Sequence, residues 1–464
     1  MQTIASVADV QSVAGHVSRS MSRLDKVPLG RFHRKLILVS GIGWMFDSLD
    51  VGLISFVVAV LAREWKLGPG EVGWLISIGL LGMLVGAAAA GSLADRWGRK
   101  MMFQATLLIF SIATGLCGLA WCFAALMVAR FLVGFGLGGE LPIASTLVSE
   151  FSPARSRGKI IVILESFWAY GWILAALLAF FVIPNLGWRI AFFLGTIPAF
   201  YTFILRRHIP ESPRFLVSKG RTKEALEVVR MVEKASGLKP LEESADEAES
   251  AGQSAGKATT PSFADLWRGP NLRRTIMLWV MWFTIIFSYY GIFTWLPTLL
   301  TSSGRGVTKS FEYVLIITLA QIPGYFSAAF LVDRLGRKAT LASYLFLTAV
   351  GAYFFRDAAT PAQILFWGCF ISFFNLGAWG VVYTYTPEMY PTSIRGTGVG
   401  WAAAFGRFAG VIAPLVAGAL IGTWGAGHSS VFVMWAMVLL AGAINVLVLG
   451  EETKGRTLEE IAGQ

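Results

Sequence analysis

Residues 91–100 read GSLADRWGRK, and residues 329–338 read AFLVDRLGRK. Asp95, Arg96, Gly98, Arg99 and Lys100 thus return as Asp333, Arg334, Gly336, Arg337 and Lys338, each 238 positions later (333 − 95). A second set keeps the same interval: Glu150 and Arg157-Gly158 return as Glu388 and Arg395-Gly396, again 238 apart (388 − 150). Two separate motifs that share one offset mean that the two halves of the chain have one internal layout, and duplication of a unit is the simple reading. Two such units related about an axis along the membrane normal, with a site between them, form a transporter architecture.

What lies between the motifs says which solvent the units face. Trp74 to Ala94 runs WLISIGLLGMLVGAAAAGSLA, with no charge before Asp95. A helix needs about 20 apolar residues to cross hydrocarbon, and backbone polar groups find no water partner there, so such runs must be helical. Runs of this kind fall near 36–62, 71–94, 101–121, 123–149, 158–183 and 188–208, then near 272–302, 309–332, 338–356, 361–387, 396–422 and 428–449. The expected fold is therefore an all-α membrane protein with 12 transmembrane helices in two six-helix halves. Composition agrees: 55% of the 464 residues are hydrophobic and 14% are charged, against about 25% charged in a soluble domain. The 17 Trp and 50 Gly suit interface anchors and close helix contacts.

The basic residues set the orientation. Arg19, Arg23, Lys26, Arg31, Arg34 and Lys35 precede the first span, Arg96, Arg99 and Lys100 follow the second, and Arg155, Arg157 and Lys159 follow the fourth. The alternate loops are short and nearly uncharged, which places both termini in the cytoplasm and requires an even number of spans. The formal net charge of +11 is thereby explained, and nucleic acid is not expected as a partner, since the charge sits in short loops beside apolar runs. The expected organisation is a cytoplasmic tail (1–35), a six-helix bundle (36–208), a cytoplasmic linker (209–271), a second bundle (272–450) and a cytoplasmic tail (451–464). Within the linker Thr222–Ala235 reads as a short charged helix, and Glu242 to Thr260 as a flexible run of Ala, Ser, Gly, Glu and Asp. No cleaved signal peptide is visible at the start. Cys117, Cys122 and Cys369 all fall within expected spans and read as small core residues. His16, His33, His208 and His428 are scattered near tails and loops, so no metal or cofactor is expected. With no nucleotide loop or nucleophile–base set either, the chain reads as not an enzyme, and a solute or ion gradient must drive any transport.

Each DRxGRK motif sits at a cytoplasmic helix junction, where Gly permits a tight turn. Carboxylates and guanidinia there can bond across helices and release when the halves rock. Asp95, Arg96, Arg99, Glu150 and Arg157, with Asp333, Arg334, Arg337, Glu388 and Arg395, are the expected cytoplasmic gate, the alternative being charges that anchor loops and set topology. Gly91 to Lys100 resembles the signature loop of the major facilitator superfamily. Arg130-Phe131 with Gly134, Gly136 and Gly138, then Pro210-Glu211-Ser212-Pro213-Arg214, and Glu452-Thr453-Lys454-Gly455, are similar to its sugar-porter branch. The resemblance covers nearly the whole chain apart from the tail and linker; Ala329 stands where the second signature loop would begin with Gly. Several stretches are closer to bacterial niacin transporters: 43–52, 136–150, 164–172, 287–293, 318–329, 373–392 and 403–407. They also resemble animal synaptic vesicle glycoproteins and, more distantly, organic-ion transporters. Sugar porters usually carry Gln and Asn in their fifth and seventh helices; Glu165 and Tyr289-Tyr290 stand in the comparable places, which argues for a flat aromatic substrate over a hexose.

The ionisable residues inside the spans carry the candidate chemistry, because each costs several kcal/mol unless paired or hydrated. Asp47 and Asp50 lie three apart on one face of the first helix, and Arg130 and Glu140 flank the glycines of the fourth. These four read either as structural ion pairs, with Arg130 meeting Asp50 or Glu140, or as a proton-coupling switch. Gly134 and Gly138 read as close-packing residues. Arg407 has no carboxylate in its own span, and its fork suits a substrate carboxylate; an ion pair with Glu140, Asp47 or another acid is the alternative. Trp168, Tyr289, Tyr290, Trp379 and Tyr383 are the aromatic candidates, which the resemblance places where the halves meet. Glu165, Gln321 and Asn375 complete the expected substrate-binding set, the last two as partners for a pyridine nitrogen or an amide. The expected function is import of niacin (nicotinate, with nicotinamide as a possible second substrate) by alternating access, in the cell's inner or plasma membrane, with protons as a candidate partner and a monomer as the working unit. Two rivals stand: a porter or exporter of other aromatic acids or small organic ions, and a non-transporting membrane ligand-binding protein.

Overall fold

The computed structural model describes residues 27–152, 157–237, 263–391, 394–425 and 427–454. The expected flexible run Glu242 to Thr260, the tail to residue 26 and residues 455–464 lie outside the described set, as do the side chains of Asp95 and Arg157. Described residues form helices and short connections, with no strand among them. In chain order the first group is α1 (Arg31–Glu64), α2 (Pro69–Trp97), α3 (Arg99–Gly118), α4 (Phe123–Phe151), α5 (Arg157–Phe181), α6 (Ile183–Leu186), α7 (Trp188–Leu194) and α8 (Pro198–His208). The connection holds α9 (Pro213–Ser218), α10 (Thr222–Ala235) and a 3₁₀ turn (Phe263–Trp267). The second group is α11 (Pro270–Ser302), α12 (Val307–Leu319), α13 (Gln321–Leu335), α14 (Arg337–Phe355), α15 (Pro361–Glu388), α16 (Arg395–Ile421) and α17 (Gly427–Leu449).

Eleven helical segments among the described residues are long and apolar enough to cross a membrane. The expected unbroken span at 188–208 is corrected: Gly195–Ile197 form a turn between α7 and α8. Pro198 opens α8 there, and its missing N–H and ring would break a helix continuing past it. The run expected at 309–332 is one candidate span, Val307–Leu335, built of α12 and α13 with a turn at Ala320, where Pro323 has no N–H to bond back to the preceding turn. The first helix begins at Arg31, so Arg31 to Lys35 leave the expected tail. Cys122 is exposed in the α3–α4 connection rather than inside a span. His33 is not a loop residue either; it is buried in α1, its ring nitrogen bonded to the Phe151 carbonyl at 3.0 Å.

Outward-facing Phe200, Phe203, Phe326, Phe330, Met437 and Leu447 are exposed, a surface suited to acyl chains and not to water. α1 and α11 are buried over most of their apolar windows and stand inside. The repeat is visible in the packing. A Cβ on Gly86 of α2 would overlap the Phe135 carbonyl of α4, and a Cβ on Gly324 of α13 would overlap the Phe373 carbonyl of α15; both partners are 238 positions apart (324 − 86; 373 − 135). Gly134 and Gly138 of α4 meet the Gly79 and Met83 carbonyls equally closely, so they are packing residues as expected.

The two signature loops are corners of one design. Gly98 has φ 103° and Gly336 has φ 94°, a region costly for any residue with a Cβ. Each glycine also admits a carboxylate. Glu211 accepts from the backbone N–H groups of Arg99 (3.0 Å), Lys100 (3.3 Å) and Ser212 (2.9 Å). Glu452 accepts from those of Arg337 (2.9 Å), Lys338 (3.2 Å), Thr453 (3.0 Å) and Lys454 (2.9 Å). An anion at a helix N-terminus satisfies orphan donors and suits the helix dipole. The segment leaving each helical group therefore folds back and fastens that group's own signature corner.

Candidate functional site

A cavity of about 120 Å³ lies between the two groups of helices. α1, α2 and α5 of the first group contribute Trp44, Leu80, Met83, Glu165 and Trp168; α11, α13, α15 and α16 of the second contribute the rest. Eight of its sixteen wall residues are aromatic, among them Trp168, Tyr289, Tyr290, Trp379 and Tyr383. Trp379 and Tyr383 stack one turn apart on α15, with ring centroids 5.7 Å apart, and Trp282 stands edge-on to both at 5.9 and 5.5 Å. Trp44 packs on Trp168 at 4.8 Å. Trp168 Nε1 donates to the Tyr289 hydroxyl at 2.7 Å, tying α5 to α11 across the seam. The size is on the scale of the roughly 150 Å³ apolar cavity known to take benzene, that is, of a single aromatic ring.

Two ionisable side chains, Glu165 and Arg407, line this aromatic space. Glu165, 4% exposed, lies against Tyr383 and Trp44 within electrostatic reach of Arg407. Arg407 on α16 forms no ion pair among the described residues, and its Nη1 is buried without a hydrogen-bond partner. The alternative in which Arg407 pairs with Glu140 or Asp47 is not what is found. Arg407 also lines the aromatic chamber, and a guanidinium on such a wall is chemically suited to a small planar anion.

Gln321 and Asn375 do not reach the wall. Asn375 donates through Nδ2 to Ser288 Oγ at 3.2 Å inside the second group, and Gln321 is fully buried beside Tyr289 at the start of α13. The aromatic wall residues that sequence reasoning missed are Trp44, Trp282 and Tyr325. The repeat could have found the first two, since Trp282 is Trp44 moved by 238 positions (282 − 44). The same shift takes Glu165 to Ala403, also on the wall, so the acid is present in one half only.

The first group has a polar core of its own. Arg130 Nη1 meets Asp50 Oδ2 at 2.8 Å, and Thr114 donates to Asp50 Oδ1 at 2.8 Å, with both charges all but fully buried. Arg130 therefore has Asp50, not Glu140, as its partner. Asp47 and Glu140 face each other, both fully buried.

At the face that bears the described chain ends, Arg99 Nε lies 3.8 Å from Glu150, and Arg337 Nε lies 3.0 Å from Glu388. Thr453 donates to Glu388 at 2.6 Å, and Arg274 pairs with Glu451 at 2.9 Å. These pairs each stay within one group. Asp333 is 3.7 Å from Arg337, Arg334 sits over the Phe330 ring, and Arg395 donates to the Tyr390 carbonyl; Arg96 is exposed. At the opposite face the groups touch directly. Arg63 donates to the Thr301 carbonyl, Ser77 donates to the Val411 carbonyl at 2.8 Å, and Gly73 and Gly418 lie against the backbones of Pro414 and Pro69.

The model of the family described as "Sugar (and other) transporter" matches residues 49–463. The chain belongs to this family. It is accordingly a multi-pass membrane transporter and not an enzyme. A protein of Acinetobacter baylyi (strain ATCC 33305 / BD413 / ADP1) named "Niacin transporter NiaP" is 51% identical over 441 residues, covering 95% of this chain and 99% of that protein. One of Bacillus subtilis (strain 168), named "Putative niacin/nicotinamide transporter NiaP", is 44% identical over 429 residues, with 92% and 98% covered. Among solved structures, the partially occluded inward-open xylose transporter XylE from E. coli superposes with a TM-score of 0.73 at 18% identity, covering 92% of this chain and 99% of that one. That likeness shows that this family member has the major facilitator fold.

Proposed function

We propose that this transporter imports nicotinate across the cell's inner membrane by alternating access, with nicotinamide as a weaker substrate. One observation carries the reading: Arg407, with no ion pair among the described residues, lines a chamber walled by Trp168, Tyr289, Tyr290, Trp379 and Tyr383. Nicotinate is a carboxylate on a flat aromatic ring. Its carboxylate would take the guanidinium, its ring would stack among the indoles and phenols for about 0.5–1.5 kcal/mol per good pair beyond burial, and Glu165 would face its other end. The names of the two bacterial relatives support the same substrate.

In this account α7 and α8 together make one broken span, giving twelve spans in two six-helix halves, 36–208 (opened by α1 from Arg31) and 272–450. The linker 209–271 and both tails lie in the cytoplasm, as the basic loops imply, and the monomer is the working unit. The seam contacts of Arg63, Ser77, Gly73 and Gly418 then close the outer side, with the cytoplasmic ion pairs held within each half. Transport to the outward-facing state exchanges these: the outer seam opens, and Arg99–Glu150 and Arg337–Glu388 give way to contacts between halves. Protons supply the driving force through the buried acids of the first half, Asp47, Asp50 and Glu140, with Arg130 holding Asp50.

The test is uptake of labelled nicotinate by cells that lack their own niacin importer. Saturable uptake, competed by pyridine carboxylates and not by hexoses, is expected. Uptake of a sugar without competition by nicotinate would overturn the assignment.

A further inference from the structure

Asp47 on α1 and Glu140 on α4 lie outside the walls of the central cavity. Both are 0% exposed, and their carboxyl groups stand within hydrogen-bond range of each other. Among the described residues, none donates a hydrogen bond to any of the four carboxyl oxygens. An ionised carboxylate can only accept, so two ionised groups in contact here would place two like charges in a dry interior with nothing to offset them. The groups that face the pair do not help. Asp50 lies one turn along α1 and is held by Arg130 of α4 and Thr114 of α3, while Tyr201 of α8 and Tyr290 of α11 lie within electrostatic reach without donating to either acid.

The repeat shows that the fold itself does not call for these acids. Moving Asp47 and Glu140 by 238 positions gives Ile285 and Ala378, both fully buried and apolar. The same helix contact is made in the second group without any ionisable residue, so the acids are present for something other than packing.

We infer that Asp47 and Glu140 hold one proton between them, forming a proton-carrying site separate from both the substrate cavity and the Asp50–Arg130 pair. The proton sits on one carboxyl oxygen and donates to the other group, leaving one net negative charge in place of two. It is held while the pair is dry and released when water reaches the pair from the other side. Asp50 and Arg130 cancel each other, so the proton count of this pair sets the net charge of the first group's core. The inference deepens the proposed coupling and rests on it only for the direction of transport.

The measurement is infrared absorption of the purified protein at neutral pH, in H₂O and D₂O. Wild type is expected to show a protonated-carboxyl C=O band that the Asp47→Asn/Glu140→Gln double variant loses; the two amides can bond each other, so the pair stays satisfied. Asp50→Asn should leave that band in place. In proteoliposomes the double variant should keep substrate exchange and lose accumulation driven by an imposed proton gradient, its inside-to-outside ratio falling to equality. A band unchanged in the double variant, or gradient-driven accumulation that survives it, would overturn the site. The infrared arm uses no substrate, so failure to transport nicotinate leaves it decisive.

Discussion

Replacing Gly73 with Ala should open the seam on the face away from the chain ends. A Cβ there would stand 2.7 Å from the Pro414 carbonyl oxygen and 3.4 Å from Leu415 Cα. Both neighbours are backbone, so no side chain can swing aside. Forcing a methyl group into a tight contact costs roughly 1–3 kcal/mol, which lowers the ratio of closed to open seam by about 5–150-fold. Gly418→Ala, whose Cβ would be 2.5 Å from the Pro69 carbonyl, should act in the same direction from the facing helix. Gly70→Ala is the control, because its Cβ would meet nothing within 4 Å. The assay uses a cysteine at Ala403, on the cavity wall, in a chain whose three native cysteines are replaced. Its reaction with a membrane-impermeant maleimide is timed in cells and in inside-out vesicles, sampling each face. The rate from the seam face should rise with Gly73→Ala and Gly418→Ala and stay at the parent value with Gly70→Ala. Equal rates in all three would mean that these glycines do not set seam closure.

Asp50→Asn strands the Arg130 charge in the core and should cost about 3–5 kcal/mol, read as a fall in the Tm of the detergent-solubilised protein; removing both charges with Asp50→Asn/Arg130→Met should recover most of it. Glu211→Ala frees the backbone donors of Arg99, Lys100 and Ser212, and a charged acceptor of this kind contributes roughly 1.5–3 kcal/mol per bond. A measurable loss of Tm and faster proteolysis near residue 211 are expected, with Glu452→Ala giving the same result in the second group. Gly86→Ala and Gly324→Ala should be alike in reducing folded protein on size exclusion, because each pushes a methyl into a facing carbonyl at equivalent positions of the repeat.

Much of the fold was legible because lipid leaves so little choice. Apolar runs of sufficient length must be helices, and the shared offset of DRxGRK and Glu150/Glu388 carried the duplication. The break between α7 and α8 was less visible: Pro198 sits inside an apolar stretch, and composition hides what its missing amide hydrogen does. In the site, the aromatic set and Arg407 came together, while Gln321 and Asn375 did not, since a polar residue's period along a helix does not say whether it faces a cavity or a neighbouring hydroxyl such as Ser288. Glu211 and Glu452 were quoted as family motifs, yet their work at Gly98 and Gly336 depends on chain reversal that no local pattern encodes. Trp44 and Trp282 show that the 238-residue offset held more information than the charged motifs alone.

The central claim is that Arg407 receives the carboxylate of nicotinate. Equilibrium binding of labelled nicotinate and nicotinamide to purified wild-type and Arg407→Ala protein tests it without any need for transport. Loss of a charged hydrogen-bond partner, worth about 1.5–3 kcal/mol, should weaken nicotinate about 10–150-fold while changing nicotinamide little. Equal affinity of both proteins for nicotinate, with folding shown intact, would contradict the account.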